Sequence, residues 1–161
     1  MNTMKLSSRS KLSGQGLVLI LIVLAILVGL WWYLHATKAA TEKDAVRYGH
    51  DVINRLVINH DRAILDNDLA PQAKNEMPPS SRDYLIQSLS QYGSPAQPIQ
   101  IEDAISFDPV LGGIISTNPH GIFTAHLNYP AQAMTMQLAI SQGTTKWLIE
   151  NITVSKGNQA Q

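Results

Sequence analysis

Residues 17–34 read LVLILIVLAILVGLWWYL and contain no charged side chain. At about 1.5 Å of rise per residue, a helix of this length is roughly 27 Å long, close to the apolar thickness of a bilayer. Because backbone groups in lipid must be satisfied within the segment, we expect a helix. Trp31, Trp32 and Tyr33 stand at its end, where amphipathic rings favour the headgroup region. The stretch predicts a transmembrane helix over residues 17–35, with these aromatic residues at the membrane interface.

The flanks of this stretch predict its orientation. Residues 1–16 carry Lys5, Arg9 and Lys11 and no acidic residue, and a short basic tail is retained in the cytoplasm. Basic residues also follow the stretch, but long C-terminal domains translocate with little regard to charge. We therefore predict a cytoplasmic tail over residues 1–16 and a periplasmic domain over 36–155, in a bacterial inner membrane. Residues 156–161 are predicted to be a disordered tail.

The composition excludes several classes of function. A chain of 161 residues allows one ordinary domain beside the anchor. Its 12 Lys and Arg residues balance 12 Asp and Glu residues, so a general nucleic-acid binder is not expected. The lack of cysteine excludes disulfides and thiolate nucleophiles. The sequence also lacks the GxSxG, HExxH, Walker A and GxGxxG patterns, and we expect no cofactor and no enzymatic activity.

The first half of the domain, residues 39–93, has helical periodicity. One apolar stripe at three-to-four spacing predicts a long first helix that continues from the membrane and ends at Asp66–Asp68 or by Pro71; it comprises Val46, Gly49, Ile53, Leu56, Val57, His60 and Ile64. A second helix is predicted to start with Ser80 as its cap, with Asp83 completing a capping box. Gly93 suits the left-handed position after its end.

The second half, residues 97–155, reads as strands. Alternating apolar residues predict strands over 99–107, with a bulge near Glu102, over 114–117, over 122–129, over 134–140 and over 145–154. Asn118–Gly121 is predicted to be a turn. The last strand has apolar residues on both faces, which predicts a central strand or one that a helix covers on one side. Helices followed by hairpin-linked strands predict an α+β domain with a curved antiparallel sheet.

The final hairpin, MTMQLAISQGTTKWLIENITV at residues 134–154, resembles that of the NTF2-like (cystatin-like) superfamily. The matching positions are Gly143, Trp147, Ile149, Ile152 and Val154. The long first helix and the second helix ending in QYG fit the same architecture. This resemblance implies a cone-shaped domain with helices packed on a curved antiparallel sheet. Membrane-anchored domains of this type resemble the VirB8-like components of bacterial type IV secretion, which implies an envelope complex, while other members of the superfamily are enzymes.

Two other interpretations of the N-terminus stay open. Cleavage after Ala39 would make the apolar stretch a signal peptide. The short basic leader and the Ser-Gly-Gln-Gly sequence also resemble a type IV pilin, in which a peptidase cuts after a glycine and a glutamate normally follows at the fifth mature position. Here that position is Leu19 or Leu21, so the chain departs from the pilin pattern.

Two sets of residues are candidate sites. Met134, Met136 and Trp147 are predicted to share a sheet face and to form a contact surface for other envelope proteins or for a second copy in a homodimer. His126 alternates with polar residues; if that face lines the cone, His126 with Asp66, Asp68 or Tyr129 would form an acid–base site for an enzyme or a small-ligand binder. We expect the first function, a non-enzymatic docking or assembly module beside the lipid bilayer.

Overall fold

The computed structural model describes residues 14–110 and 115–157, and within them an α+β arrangement. The elements follow in the order α1 (Gly14–Val57), α2 (Ala63–Asp68), α3 (Pro71–Glu76), α4 (Pro79–Gln91), β1 (Gln100–Val110), β2 (Ile115–Asn128), β3 (Ala133–Gln142) and β4 (Trp147–Lys156). The chain divides into two compact units, with the boundary between Ala40 and Thr41. Most of the two predicted tails, residues 1–13 and 158–161, lies outside the described residues.

The first unit contains the N-terminal part of α1, which confirms the predicted apolar helix. The apolar side chains from Val18 to Leu34 are all exposed. In the described part of the chain, α1 is the one helix long and apolar enough to cross a membrane, and none of its apolar window is buried. This is consistent with a single membrane-spanning anchor. The interfacial role of Trp31, Trp32 and Tyr33, which are exposed as well, stays a prediction.

The later part of α1 belongs to the second unit and has one buried face, formed by Ala45, Val52, Ile53, Leu56 and Val57. The helix ends at Val57, earlier than predicted. His60 adopts a positive φ of 50°, which ends the helical path. The Asp61 carboxylate accepts hydrogen bonds from the Arg55 side chain and from the Ala63 N–H, which fixes the turn into α2. Ile64 is buried as predicted, but from α2.

Three short helices connect α1 to the sheet. Ala70 N–H, between α2 and α3, donates to the Ile149 carbonyl at 2.8 Å, so this connection lies along β4.

The predicted capping box of α4 is wrong: the cap position is Pro78, and Ser80 lies inside the helix. A proline in the first turn removes a donor that would otherwise need a cap. Gly93 has a φ of 79°, as predicted for the residue after the helix end.

The four strands form an open antiparallel sheet in the order β1-β2-β3-β4. The turn predicted at Asn118–Gly121 is wrong, because β2 continues through it. Asn118, with a φ of 49°, is the extra residue of a bulge in β2, between the partners of Phe107 and Asp108. The bulge predicted in the first strand near Glu102 is wrong, because the β1–β2 register is unbroken from Gln100 to Phe107.

A second bulge explains the mixed pattern of β4. Ile149 pairs with Ile140 and Asn151 with Ala139, so Glu150 is the extra residue. The extra residue shifts the alternation by one, and Ile149 and Ile152 then face the same core. Of the two predicted positions for the last strand, the central one is wrong, because β4 is an edge strand. The other is confirmed, because helices cover one face of β4 and bury Trp147, Ile149 and Ile152.

The core lies between the helices and one face of β2, β3 and β4. It contains, among others, Ile53, Leu56, Leu65, Phe123, Leu127, Leu138 and Ile140. Gly49 brings α1 against the sheet, because a Cβ atom at this position would lie 2.4 Å from Cζ of Phe123. The helix can approach this closely only where a side chain is missing.

Candidate functional site

A polar groove of about 490 Å³ is the best candidate for a site in the second unit. One wall is the exposed face of α1, and the other is the β3–β4 hairpin. The residues that line it are Asp44, Arg47, Tyr48, Asp51, Gln142, Thr145, Lys146 and Trp147. The α1 residues share a wall because they recur at three-to-four spacing, on the side of the helix next to its apolar stripe.

Asp68 forms the polar centre behind this groove. Its Oδ1 accepts from Lys146 Nζ at 2.6 Å, and its Oδ2 accepts from the Tyr48 hydroxyl at 3.3 Å. Lys146 Nζ also donates to the carbonyl of Asn67 at 2.9 Å. Burial, followed by the negative charge of Asp68, raises the pKa of Tyr48, so its phenol stays a donor at neutral pH. The three side chains therefore fix the hairpin against α1 and the end of α2.

The α1 wall carries charges of both signs. Arg47 lies 3.1 Å from Asp44, with side chains that are 81% and 57% exposed. Arg55 lies 3.9 Å from Asp51, one turn further along. The exposed pair of Arg47 with Asp44 is weak, so either of these side chains is available to a charged ligand, whereas Arg55 is held by its hydrogen bonds to Asp61. The groove can hold polar groups, but among residues 14–110 and 115–157 no group of three or more His, Asp or Glu side chains is placed to bind a metal ion.

The predicted contact surface of Met134, Met136 and Trp147 is part of the core. These side chains are 8%, 0% and 9% exposed, respectively. The prediction that they share a face is right, but the helices cover that face. Only the rim of Trp147 reaches the groove. Their role as an accessible docking surface is therefore corrected.

The acid–base site predicted around His126 is also wrong. His126 alternates with buried Ala125 and Leu127, so it lies on the face of the sheet opposite the helices, where its Nε2 is 3.7 Å from Oε1 of Glu102. The partners proposed for it lie elsewhere. Asp66 binds Arg82, Asp68 binds Lys146, and Tyr129 is in the core, where burial raises its pKa.

Sequence reasoning missed the buried Arg82. Its guanidinium donates to the Met77 carbonyl at 2.9 Å, to Asp66 Oδ1 at 2.9 Å and to the Lys74 carbonyl at 3.5 Å. It thereby joins α2, α3 and α4. A single arginine in a polar helix start carries no signal that distinguishes this role from a solvated one.

Sequence reasoning also missed an acidic strand. Residues 83–145 include Asp83, Glu102, Asp103 and Asp108 but no Lys or Arg. Three of these four acids lie in β1. The signal was visible in the charge distribution along the chain, which the overall balance of 12 against 12 conceals.

Comparison with known proteins found no matching family model, no matching curated protein and no matching solved structure. The function is therefore argued from the residues and the geometry of this chain.

Proposed function

We propose that the chain is a single-pass inner-membrane protein of a bacterium whose C-terminal domain serves, in the periplasm, as a docking or assembly module of an envelope complex, secretion-related and non-enzymatic. The observation that carries the proposal is in α1. The apolar window of this helix is entirely exposed, while residues further along the same helix form one wall of a compact core. A cylinder that is apolar on all sides needs lipid around it, which makes an anchor its simplest role.

The filled core supports docking over catalysis. A ligand-binding cone needs a cavity between its helices and its sheet, and here that space is occupied by Phe123, Met136 and Leu138, each with no exposed surface. Two polar groups of the groove, Lys146 and Tyr48, are bonded to Asp68 behind it. A partner would therefore contact the outside of the domain.

For the fold, we propose a small member of the cone-shaped, NTF2-like class. The order of helices first and a four-stranded antiparallel meander second supports it, as do helices on one sheet face only. The bulges at Asn118 and Glu150 bend their strands, as a curved sheet requires.

Topology is tested by fusing a reporter that is active only outside the cytosol to the C-terminus of the full chain. We expect an active reporter and a full-length chain that stays with membranes after alkaline extraction. The matched control fuses, at the same C-terminus, a fluorescent protein that folds only in the cytosol. This control fusion should not fluoresce. A reporter active only in the cytosol, a freely dissolved chain, or a mature N-terminus cut after Ala39 would overturn the anchor. A cut after Gly14 or Gly16 would leave the apolar stretch in place and favour a pilin-like subunit over an assembly module.

Docking is tested by photocrosslinking in native membranes. Crosslinkers at Thr124 and Gln137, on the open sheet face, report partners on that side, and one at the solvent-facing Tyr84 reports on the helices. We expect a discrete adduct from at least one of these positions and none from the buried Met136. Adducts absent from every exposed position of the domain would contradict a docking role.

A further inference from the structure

Strand β1 is one edge of the open sheet, because in the described part of the chain it is paired with β2 alone. The β1–β2 pairing runs from Gln100 opposite His126 to Val110 opposite Ile115, whereas β3 pairs with β2 only as far as His120. The ribbon therefore extends past β3. The outer backbone groups of an edge strand are a template for the addition of another strand.

The charge on this edge is of one sign. Glu102 and Asp108 are 79% and 55% exposed and lie on the face opposite the helices. Each carboxylate has an imidazole beside it, His126 Nε2 at 3.7 Å from Glu102 and His120 Nε2 at 3.3 Å from Asp108. Because residues 83–145 contain no Lys or Arg, the strand and its surroundings in the chain bring no permanent cation to these carboxylates. An approaching segment meets a negative potential on this face.

The other face of β1 carries two isoleucines on either side of the exposed Asp103, which pairs with the buried Phe123 and adds to the negative charge of the edge. Ile101 and Ile105 are half-buried and pack against the edge of the core. Because side chains alternate along a strand, a strand added beside β1 would place every second residue next to these isoleucines and the remaining residues next to Glu102 and Asp108. The edge therefore favours a segment that alternates apolar and basic residues.

We propose that β1 is the docking edge of this domain, where an extended, alternating basic and apolar segment of a partner protein adds as a fifth strand. This proposal rests on the docking function proposed above. A second copy of the chain is disfavoured in the symmetric register centred on Ile105. If two β1 strands paired antiparallel about Ile105, Glu102 of each would stand directly opposite Asp108 of the other, and like charges in that position are destabilising.

The test uses the full chain in detergent micelles and a labelled peptide, as long as β1, that alternates Lys and Val. A fully N-methylated version keeps the charges and side chains but has no backbone N–H donors, so it cannot complete a ladder. We expect the unmodified peptide to bind at least about tenfold more tightly than the methylated one, with affinity that falls as salt rises. Equal binding of the two peptides would overturn strand addition, because charge alone would then explain it.

Variants locate the site. Glu102→Gln with Asp108→Asn should weaken binding about fivefold to tenfold, since two exposed charge pairs are lost. The matched control, Glu76→Gln with Glu150→Gln, removes two carboxylates beside β4, the opposite edge, and should change affinity less than about twofold. A larger effect of the control pair would place the peptide at β4 and overturn the proposal.

Charge reversal gives a second, independent outcome. Glu102→Lys with Asp108→Lys should bind a peptide alternating Glu and Val and lose the Lys–Val peptide, with circular dichroism showing that the fold is retained. Failure of every peptide to bind a folded chain overturns the edge proposal alone. The docking function itself is decided separately by the crosslinks from Thr124, Gln137 and Tyr84, which do not lie on β1.

Discussion

The two parts of α1 differ in where their apolar side chains lie. From Val18 to Leu34 every large apolar side chain is exposed, whereas between Ala45 and Val57 the apolar side chains on one face are buried. The first part is apolar on all sides, so it has no face suited to contact with water and needs an apolar environment around it. The second part has a stripe and obtains its apolar environment from the sheet. With the anchor role proposed above, one helix is stabilised by lipid at one end and by packing at the other.

Charges placed in the first part should have the largest effect. Leu24→Arg with Leu27→Arg would put two arginines near the middle of the anchor, at a cost of about 2.5–3.5 kcal/mol each. We expect most of the chain to leave the membrane fraction after alkaline extraction. Ala39→Arg with Ala40→Arg adds the same charges beyond the apolar stretch and should leave the chain in the membrane. If the variant with both Leu24→Arg and Leu27→Arg stays fully membrane-bound, this part of α1 is not an anchor.

The second part should depend on its sheet contact. Phe123→Ala empties the position opposite Gly49, and a buried Phe→Ala change costs about 3–5 kcal/mol of unfolding free energy. Urea unfolding of the full chain in micelles measures it. The neighbouring Ile122, which is 56% exposed on the other face of the same strand, is the matched control, and Ile122→Ala should cost less than about 1 kcal/mol. Equal losses at the two positions would contradict the assignment of the faces.

This contrast also shows what local sequence pattern predicts well. The apolar run of the anchor and the strict alternation in β3 were both readable, because each depends on a single periodicity within one element. Met134, Met136 and Leu138 are indeed on the buried face of β3. Which face the helices cover depends on residues far away in the chain, and for that reason the alternation alone predicts a contact surface at Met134 and Met136 where the helices in fact pack.

Irregular backbone is the other reason why the predicted helix end and strand boundaries differ from those in the structure. The helix end at His60, the bulge at Asn118 and the bulge at Glu150 are single-residue features, and each shifts the phase of everything beyond it. Asn118 sits in a sequence that favours a turn, and only the pairing of Pro119 with Phe107 across the ribbon keeps it in a strand. The groove around Lys146 needs α1, α2 and the β3–β4 hairpin together, so no one segment predicts it.

Two of the glycines in α1, Gly29 and Gly49, compare its two parts directly. A Cβ atom at Gly49 would lie 2.4 Å from the Phe123 ring, whereas nothing lies within 4 Å of one at Gly29. Gly49→Ala should therefore lower the free energy of unfolding by about 1–3 kcal/mol, despite the higher helix propensity of alanine. Gly29→Ala should not lower it.

A double variant identifies the cause of the Gly49 effect. Combined with Phe123→Leu, Gly49→Ala should cost less than it does alone, because the smaller side chain leaves room for the added methyl group. Thermal unfolding of the four chains gives the coupling. Additive losses would mean that Gly49 serves backbone flexibility and not the close approach of α1 to the sheet.

The smallest expected effect lies at the end of α1. The hydrogen bond from Arg55 lowers the pKa of Asp61 below its usual 3.8, with the Ala63 N–H acting in the same direction. A carboxyl whose pKa is lower in the folded state stabilises the fold above its unfolded pKa, and this contribution is lost as the pH falls through the folded value. The urea midpoint of the wild type should therefore fall between about pH 5 and about pH 3 by slightly more than that of Asp61→Asn.

Asp44→Asn, which alters the well-exposed pair with Arg47, should follow the wild type throughout. Identical acid profiles for wild type and Asp61→Asn would mean that the chain turns at His60 without help from this ion pair, and that the boundary between helix and domain is set by packing alone.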